Sequence, residues 1–298
     1  MLAAIDLRVY PKTDVELPHP CGHMVHAALL DAVQAVNPSL SSELHETSQV
    51  KPFALSTLWP RTRASGDSLA IAKYTECRLR ICTLTRPLFE AVSAAVFPRL
   101  ASNGSIRLAG HEFTLIEANL QPPYGGAAEY AELKTDRGRE IELRFTSPAT
   151  FRRRGLNVPL PDPALVYGSL WQKWQAFSGV PIPESVFEEM MGALALSRMD
   201  GHTRVWKFPR YMMTGFVGAA AFELVGKVSR AARELFGALS GLAFFSGVGY
   251  RTTMGMGQCR IAAEEAAASE EDAAEETSEP QARAAASSEG TANGGSVR

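Results

Sequence analysis

The sequence predicts an α+β protein with two similar halves, each running β-α-β-β-α-β, which is the ferredoxin-like arrangement. Three observations support this prediction. Strand-like and helix-like apolar periodicities follow one another in the same order twice. A stretch rich in proline and glycine at 121–128 separates the two series, and large apolar residues become rare after residue 261. We therefore expect ferredoxin-like domains at 1–125 and 126–261, followed by a disordered acidic tail at 262–298.

The first half contains six predicted elements. They are a strand at Leu2–Tyr10, a helix at Gly22–Val36, strands at Lys51–Leu58 and Thr75–Leu84, a helix at Arg86–Leu100 and a strand at His111–Asn119. In the first helix, Val25, Leu29 and Val33 recur at the spacing of one helical face, and Pro38 ends the helix. Pro87 suits the first turn of the second helix, where its missing N–H has no partner to lose.

The second half repeats this order with one additional helix. The predicted elements are strands at Tyr130–Leu133 and Glu140–Thr146, helices at Asp162–Phe177 and Glu184–Leu196, a hairpin of His202–Met213 and Phe216–Val225, a helix at Ser229–Ala243 and a strand at Met256–Ala262. Pro122, Pro123, Gly125 and Gly126 mark the segment between the halves as a linker.

Composition excludes several classes of protein. No apolar run reaches the ~18 residues that a membrane-spanning helix needs. The four cysteines form no Cys-x-x-Cys pair, so we expect neither a zinc site nor a disulfide, and we expect a cytoplasmic protein. The net charge of −2 combines −7 in residues 264–298 with +5 in the rest of the chain. A mildly basic body is compatible with an anionic partner.

A glycine-rich loop at 247–257 is the most informative segment, because it surrounds a Tyr-Arg-Thr-Thr core with paired glycines. It lacks the Gly-Lys-Ser/Thr triplet of a Walker loop, and its order of helix, loop and strand excludes a dinucleotide fingerprint. Glycines alone would indicate only a tight connection with positive φ angles. The arginine and threonines favour a phosphate-binding loop that uses Gly247, Gly249, Tyr250, Arg251, Thr252, Thr253, Gly255 and Gly257.

The segment Phe245–Gln258 closely resembles the C-terminal signature of the CRISPR-associated repeat-processing endoribonucleases of the RAMP superfamily. Further segments agree with this family in order and spacing, namely Lys51–Ser56, Phe151–Arg153, Leu170–Phe177 and Thr214–Gly218. The resemblance covers about residues 1–261, and only the acidic tail departs from it. It implies two tandem ferredoxin-like domains and an endoribonuclease that processes precursor guide RNA.

Cleavage of RNA without a metal ion is the chemistry that the resemblance implies. The substrate supplies its own nucleophile, the 2′-OH, so the protein must remove its proton, align it with phosphorus and protonate the leaving 5′-oxygen. The products would carry a 2′,3′-cyclic phosphate and a 5′-hydroxyl. Histidine suits both proton transfers. The sequence shows neither a His-Glu-x-x-His motif nor an acidic metal-binding cluster, and we expect no cofactor.

The resemblance places the catalytic histidine at His26, through the match Gly22-x-x-x-His26 in the first helix. By position alone, His26 would be an ordinary half-buried helix residue. His23, one turn earlier, is a second candidate, and His45 in the following connection is a third with weaker support. Lys51 is a candidate for stabilising the scissile phosphate, although a solvated lysine at the start of a strand is equally consistent with its position.

The expected partner is the stem-loop of a CRISPR repeat RNA. Arg152, Arg153 and Arg154 follow a predicted strand, and Lys207 and Arg210 lie on the predicted hairpin. An A-form stem presents phosphates and 2′-hydroxyls, so these basic residues suit backbone recognition.

Two other functions remain open at this point. One is a non-catalytic RNA-binding RAMP subunit of a CRISPR effector complex, and the other is a nucleotide-binding enzyme that uses the glycine loop. The sequence leaves open whether the chain contacts other effector subunits or forms a homodimer. One hypothesis for the acidic tail is that it competes electrostatically with RNA for the basic face.

Overall fold

The computed structural model describes residues 1–46, 50–60 and 68–262. Over these residues the chain forms six α-helices and two main antiparallel sheets, which confirms the predicted α+β class. The tail from residue 263 onward lies outside the described residues. Its expected disorder and its competition with RNA therefore stay predictions. Within the described ranges, no helix has both the length and the apolar character needed to cross a membrane.

In the first half, the described residues form nine strands and three helices. They are β1 (Leu2–Pro11), β2 (Val15–Pro18), α1 (Gly22–Val36), α2 (Pro38–Glu46), β3 (Phe53–Leu55), β4 (Trp59–Pro60), β5 (Ser68–Ile71), β6 (Cys77–Thr83), α3 (Arg86–Ala101), β7 (Ser105–Leu108), β8 (His111–Asn119) and β9 (Gly126–Ala128). The main sheet has the order β3-β6-β1-β8-β7, with β4 on β6 and β9 on β1, while β2 and β5 form a separate ribbon.

The second half contains six strands and three helices. They are β10 (Glu140–Ala149), β11 (Phe151–Arg153), β12 (Leu156–Val158), α4 (Pro163–Phe177), α5 (Glu184–Ala193), β13 (Leu194–Lys207), β14 (Met212–Leu224), α6 (Arg230–Ser246) and β15 (Cys259–Ile261). Its main sheet has the order β13-β14-β10-β15, and β11 pairs with β12 in a small hairpin.

The four principal strands have the same spatial order in both sheets. In the first sheet the order β3-β6-β1-β8 places the second strand of the series at one edge, followed by the third, the first and the fourth. The order β13-β14-β10-β15 is the same arrangement. Two tandem ferredoxin-like domains are therefore confirmed, while their exact limits at 125 and 261 stay a prediction.

The described residues form two main hydrophobic cores, and the second of them contains residues of both halves. Alternate side chains of β1, such as Ile5 and Leu7, pack against α1 and α3 in the first core. The second core lies between the second sheet and the helices α4 and α6. It also takes in Leu2, Ala4 and Cys82 from the opposite face of the first sheet. The two domains thus share apolar packing, which fixes α6 and the loop that follows it against the first domain.

Two local predictions were wrong. The predicted strand Tyr130–Leu133 is a 3-10 helix, and the amide of Glu129 donates to the Glu132 carboxylate at 2.7 Å in a capping box. Pro38 ends α1 as predicted, but it also begins α2, so that His45 lies on a helix and not in an irregular connection. The Asn37 side chain accepts a hydrogen bond from the Leu40 amide, which caps α2.

The hairpin of the second domain also differs from its prediction. Its strands extend from Leu194 to Leu224, and its turn lies at 208–211 instead of 214–215. Pro209 cannot donate to a sheet ladder, and the Phe208 amide closes the turn on the Tyr211 carbonyl at 2.8 Å. His202 is therefore in mid-strand, opposite Val217. The closing strand starts only at Cys259, and Lys51 precedes β3.

Candidate active site

The glycine-rich loop connects α6 to β15 and requires its glycines for conformational reasons. Gly247, Gly249, Gly255 and Gly257 all have positive φ angles, between 59° and 89°. Arg251 also adopts the left-handed conformation, with φ at 62°. A non-glycine residue in this region is uncommon and often lies at a functional site, where surrounding contacts hold it in place.

Most backbone amides of this loop are already hydrogen-bonded within the protein. The amide of Val248 donates to Gly257, that of Tyr250 to Thr150, and that of Gly257 to Pro148. Among the described residues, the amides of Arg251, Thr252, Thr253 and Gly255 donate to no acceptor. The amides that could bind an anion therefore lie at 251–255, around the 3-10 turn Thr252–Met254, whereas the amides of Gly247, Gly249 and Gly257 are hydrogen-bonded within the protein.

A buried lysine, which the sequence analysis did not single out, holds the start of the loop. Lys173 on α4 is only 7% exposed, and its Nζ donates to the carbonyls of Ser246 and Gly247 at 2.7 and 2.8 Å. Ser169, one turn earlier, accepts from the Gly249 amide at 3.2 Å. Burial lowers the pKa of Lys173 to about 7. Even a neutral amine retains enough N–H groups for both carbonyls, so this clamp persists across neutral pH.

We expect Lys173→Met to destabilise the protein by about 1–3 kcal/mol, because two buried carbonyls lose their donor. Part of this loss in the free energy of unfolding is offset, because methionine carries no charge whose burial would cost free energy. Urea unfolding measures the change, and the exposed Lys227→Met is the matched control, with an expected effect within about 0.5 kcal/mol. Equal stability of the two variants would contradict the proposed clamp.

The far end of the loop packs directly against the first helix of the first domain. A Cβ atom added to Gly22 would lie 2.0 Å from the carbonyl oxygen of Met254, so only glycine permits this approach. One turn further along α1, the Nδ1 atom of His26 lies 3.0 Å from the carbonyl oxygen of Thr253. The ring of His26 also packs on Phe53 of β3, with centroids 5.5 Å apart.

This contact selects one tautomer of His26. A carbonyl oxygen can only accept a hydrogen bond, so Nδ1 must carry the proton that is donated to Thr253. In the neutral ring, Nε2 then holds the lone pair and is the nitrogen available to take up a proton. The loop thus orients the imidazole as well as lying beside it.

Three further cationic or basic groups surround His26. Burial lowers the pKa of its imidazole, the hydrogen bond to Thr253 partly opposes this, and the charges of His45, Lys51 and Arg251 lower the pKa further. His45 is exposed on α2, and Lys51 donates to the carbonyl of Leu44 at 2.6 Å. The structure therefore brings His45 and Lys51, two further candidates from the sequence, close to His26.

His23 occupies a different environment. Its Nδ1 is buried and has no hydrogen-bond partner among the described residues, and burial lowers the pKa of its imidazole. His23 is not among the main causes that shift the pKa of His26. A catalytic role for His23 stays a prediction. Among the described residues, no hydrogen bond or ring contact joins it to His26, His45 or Lys51.

The predicted RNA-binding arginines and the loop form a continuous surface of alternating arginine and tyrosine. The guanidinium of Arg152 lies 5.4 Å from the ring centroid of Tyr250, and that of Arg251 lies 4.8 Å from the same centroid. Arg251 also lies 5.8 Å from the ring of Tyr211. Arg153 and Arg154 are exposed on the β11–β12 hairpin.

The tip of the β13–β14 hairpin reaches the same surface. Lys207 and Arg210 are exposed there. The hairpin is fixed to the loop by a small cluster in which Trp206 and Met213 pack with Met256. All of the predicted RNA-binding segments are thus linked to the loop through direct contacts.

Gln258 joins the two domains at the base of the loop. The sequence had suggested no role for this residue. Its Nε2 donates to the carbonyl of Leu55 at 3.0 Å, and its Oε1 accepts from the buried Arg80 at 3.1 Å. Its own amide donates to Ser147 at 2.9 Å. In the sequence, the feature that could have indicated this role is a glutamine directly after the last glycine of the loop.

In the described part of the chain, no group of three or more His, Cys, Asp or Glu side chains could hold a metal ion. The four cysteines are buried and form no disulfide bond with one another.

Two family models match the chain over most of its length. The model described as the CRISPR Cas6 N-terminal domain matches residues 1–134, and that of the CRISPR-associated endoribonuclease Cas6 matches residues 143–259. CRISPR-associated endoribonucleases Cas6 from two Mycobacterium tuberculosis strains are each 27% identical over 191 residues. Each match spans 63% of this chain and 59% of the relative's length.

Solved structures give the same result. A Thermus thermophilus Cas6 in a product complex has a TM-score of 0.74 and 28% identity, covering 88% of this chain and 100% of that chain. A second Cas6 product complex has a TM-score of 0.67 and 27% identity, with 87% and 98% covered. A RAMP protein that binds different RNA substrates shares the fold at 13% identity, with a TM-score of 0.59 and coverage of 87% and 99%. The resemblance of the loop signature is thereby confirmed, and the chain belongs to the family of CRISPR-associated Cas6 endoribonucleases.

Proposed function

We propose that this chain is an endoribonuclease that cleaves the stem-loop of a CRISPR repeat RNA without a metal ion. The observation that carries the proposal is the contact between His26 and the loop. It fixes the tautomer of the imidazole and places it among His45, Lys51 and Arg251. A proton acceptor surrounded by positive charge suits a reaction in which an anionic phosphate is attacked by a neighbouring hydroxyl.

In the proposed reaction, Nε2 of His26 removes the proton from the 2′-OH. The 2′-oxygen then forms a bond to phosphorus, and the bond from phosphorus to the 5′-oxygen breaks. His45 donates the proton that the leaving 5′-oxygen requires. Lys51 and Arg251 offset the charge that accumulates on the phosphoryl oxygens. The products are a 2′,3′-cyclic phosphate and a 5′-hydroxyl.

The stem of the RNA would lie on the surface of alternating arginine and tyrosine. Arg152, Arg153, Arg154, Lys207 and Arg210 supply charge to its phosphates, and the amides of Thr252 and Thr253 add neutral donors. Related Cas6 proteins have been solved in product and substrate-mimic complexes, which supports repeat RNA as the partner of this chain. Contact with other effector subunits and formation of a homodimer stay predictions.

We expect the full chain to cleave a repeat stem-loop RNA in excess EDTA at the rate found with magnesium. End-group analysis should show a 2′,3′-cyclic phosphate, and a single 2′-deoxy substitution at the scissile nucleotide should stop cleavage because the nucleophile is missing. Cleavage that requires a divalent ion would overturn metal independence. Tight binding with no cleavage would favour the alternative, a non-catalytic RNA-binding RAMP subunit.

A further inference from the structure

The tip of the β13–β14 hairpin carries a stacked aromatic pair, in which Phe208 is partly buried against the cluster of Trp206, Met213 and Met256 and Tyr211 is exposed. The rings of Phe208 and Tyr211 stack with centroids 4.7 Å apart and an interplanar angle of 27°. The Phe208 amide donates to the Tyr211 carbonyl, so the backbone of the turn holds both rings in place. Tyr211 nevertheless remains 44% exposed. An apolar ring that is rigid and open to solvent is suited to binding a planar partner.

This pair adjoins the candidate active site. Arg251 lies 5.8 Å from the ring of Tyr211, and two residues further along the loop the carbonyl of Thr253 accepts the hydrogen bond from Nδ1 of His26. The hairpin cannot swing away freely, because Trp206 below the tip packs on Met256 of the loop. Tyr211 is therefore held next to the position where the scissile phosphate is expected.

The charges around Tyr211 favour a nucleic acid over an apolar partner. Lys207 and Arg210 flank the aromatic pair in the chain and are exposed. The Nε atom of Arg251 is buried without a hydrogen-bond partner among the described residues. Stacking on an aromatic ring, combined with nearby cations that contact phosphates, is how proteins hold single-stranded nucleic acid.

We propose that Tyr211, backed by Phe208, is a stacking subsite for an unpaired RNA base adjacent to the scissile phosphate. This inference rests on the proposed function and extends it, since it names the part of the substrate that this hairpin contacts. Stacking tolerates any base, because every base has a π-face. The subsite would thus select for an unpaired nucleotide and not for a particular sequence.

The test compares full-length variants on a synthetic repeat RNA that has a stem-loop and unpaired flanks. Tyr211→Ala should weaken RNA binding by about 5- to 150-fold, the range found when a stacked aromatic is replaced by alanine. Tyr211→Phe should bind within about threefold of the wild type, because the ring is retained. The matched control is Tyr74→Ala, which removes a tyrosine that is 66% exposed and packs on Tyr10 of the first domain.

An abasic scan makes the test specific for stacking. Each unpaired nucleotide beside the cleavage position is replaced in turn by an abasic one. At one position, the abasic RNA should bind the wild type as weakly as intact RNA binds Tyr211→Ala, and the two changes together should weaken binding no further. Strictly additive losses at every position would overturn the subsite, as would equal binding by Tyr211→Ala and Tyr74→Ala. Failure of the wild type to bind the RNA at all would overturn the proposed function itself.

Discussion

Replacement of His26 by alanine is expected to slow RNA cleavage by about 10²- to 10⁴-fold, the range associated with loss of a general acid or base. Single-turnover measurements with saturating enzyme isolate this chemical step from binding. RNA affinity should stay within about threefold of the wild-type value, because the proposed binding charges lie on Arg152 and its neighbours, Lys207, Arg210 and the loop. A variant that cleaves at more than about a third of the wild-type rate would rule out His26 as the proton acceptor.

The pH dependence provides a second measurement on His26. Burial is the main cause that lowers the pKa of this imidazole below its ordinary value of 6.5. The neutral ring, which can accept a proton at Nε2, is therefore the main form at neutral pH and persists below pH 6.5. On the acidic side of the profile, wild-type cleavage should fall as the pH drops through the lowered pKa, and the His26→Ala variant should lack this step. His111→Ala, at the start of β8 where it pairs with Leu108 of β7, should keep it.

Replacement of Gly22 by alanine is expected to lower the cleavage rate by about 10²-fold or more, although Gly22 is far too small to take part in chemistry. The added methyl group would lie 2.0 Å from the carbonyl oxygen of Met254, and backbone cannot move aside as a flexible side chain can. The turn that carries Thr253 must then shift, which breaks its hydrogen bond to His26. Displacement of a catalytic group by about 1 Å is sufficient for such a loss.

The control for this variant is another helical glycine. A Cβ atom at Gly168 of α4 would meet nothing within 4 Å, so Gly168→Ala should leave the cleavage rate unchanged and raise stability by about 0.5–1 kcal/mol. Gly22→Ala should instead lose about 1–3 kcal/mol through overpacking. Thermal unfolding and single-turnover cleavage of the two variants test the expectation together. Similar behaviour of both proteins would show that the loop does not depend on its contact with α1.

The sequence predicted elements well where apolar periodicity is strong. The bounds of α1 and β8 agree with prediction, and for α1 the reason is that its apolar face is a property of the local chain. The sequence predicted secondary structure poorly where a few side-chain hydrogen bonds determine the backbone conformation. The capping box at Glu129 and the Asn37 cap on α2 each outweighed a weak local preference.

The sequence named candidate site residues, whose catalytic and binding roles stay predictions, but it did not give their geometry. His26, His45, Lys51 and Arg251 were all named from the sequence, and the structure brings them together. Lys173 was missed, because a lysine within an amphipathic helix ordinarily faces solvent. Only its burial against the end of α6 shows that it holds the loop. Tyr211 was also missed, because the turn of its hairpin was placed too late in the chain.

The sequence by itself determined two successive βαββαβ domains and a loop whose glycines require positive φ angles, since both follow from local spacing and backbone sterics. Only the tertiary structure decided that the carbonyl of Thr253 meets Nδ1 of His26, since these residues are 227 positions apart in the chain. That contact depends on apolar packing between the two domains and on the absence of a side chain at Gly22. Neither condition is visible in the local pattern around either residue, because each arises from surfaces that meet only after both domains have folded.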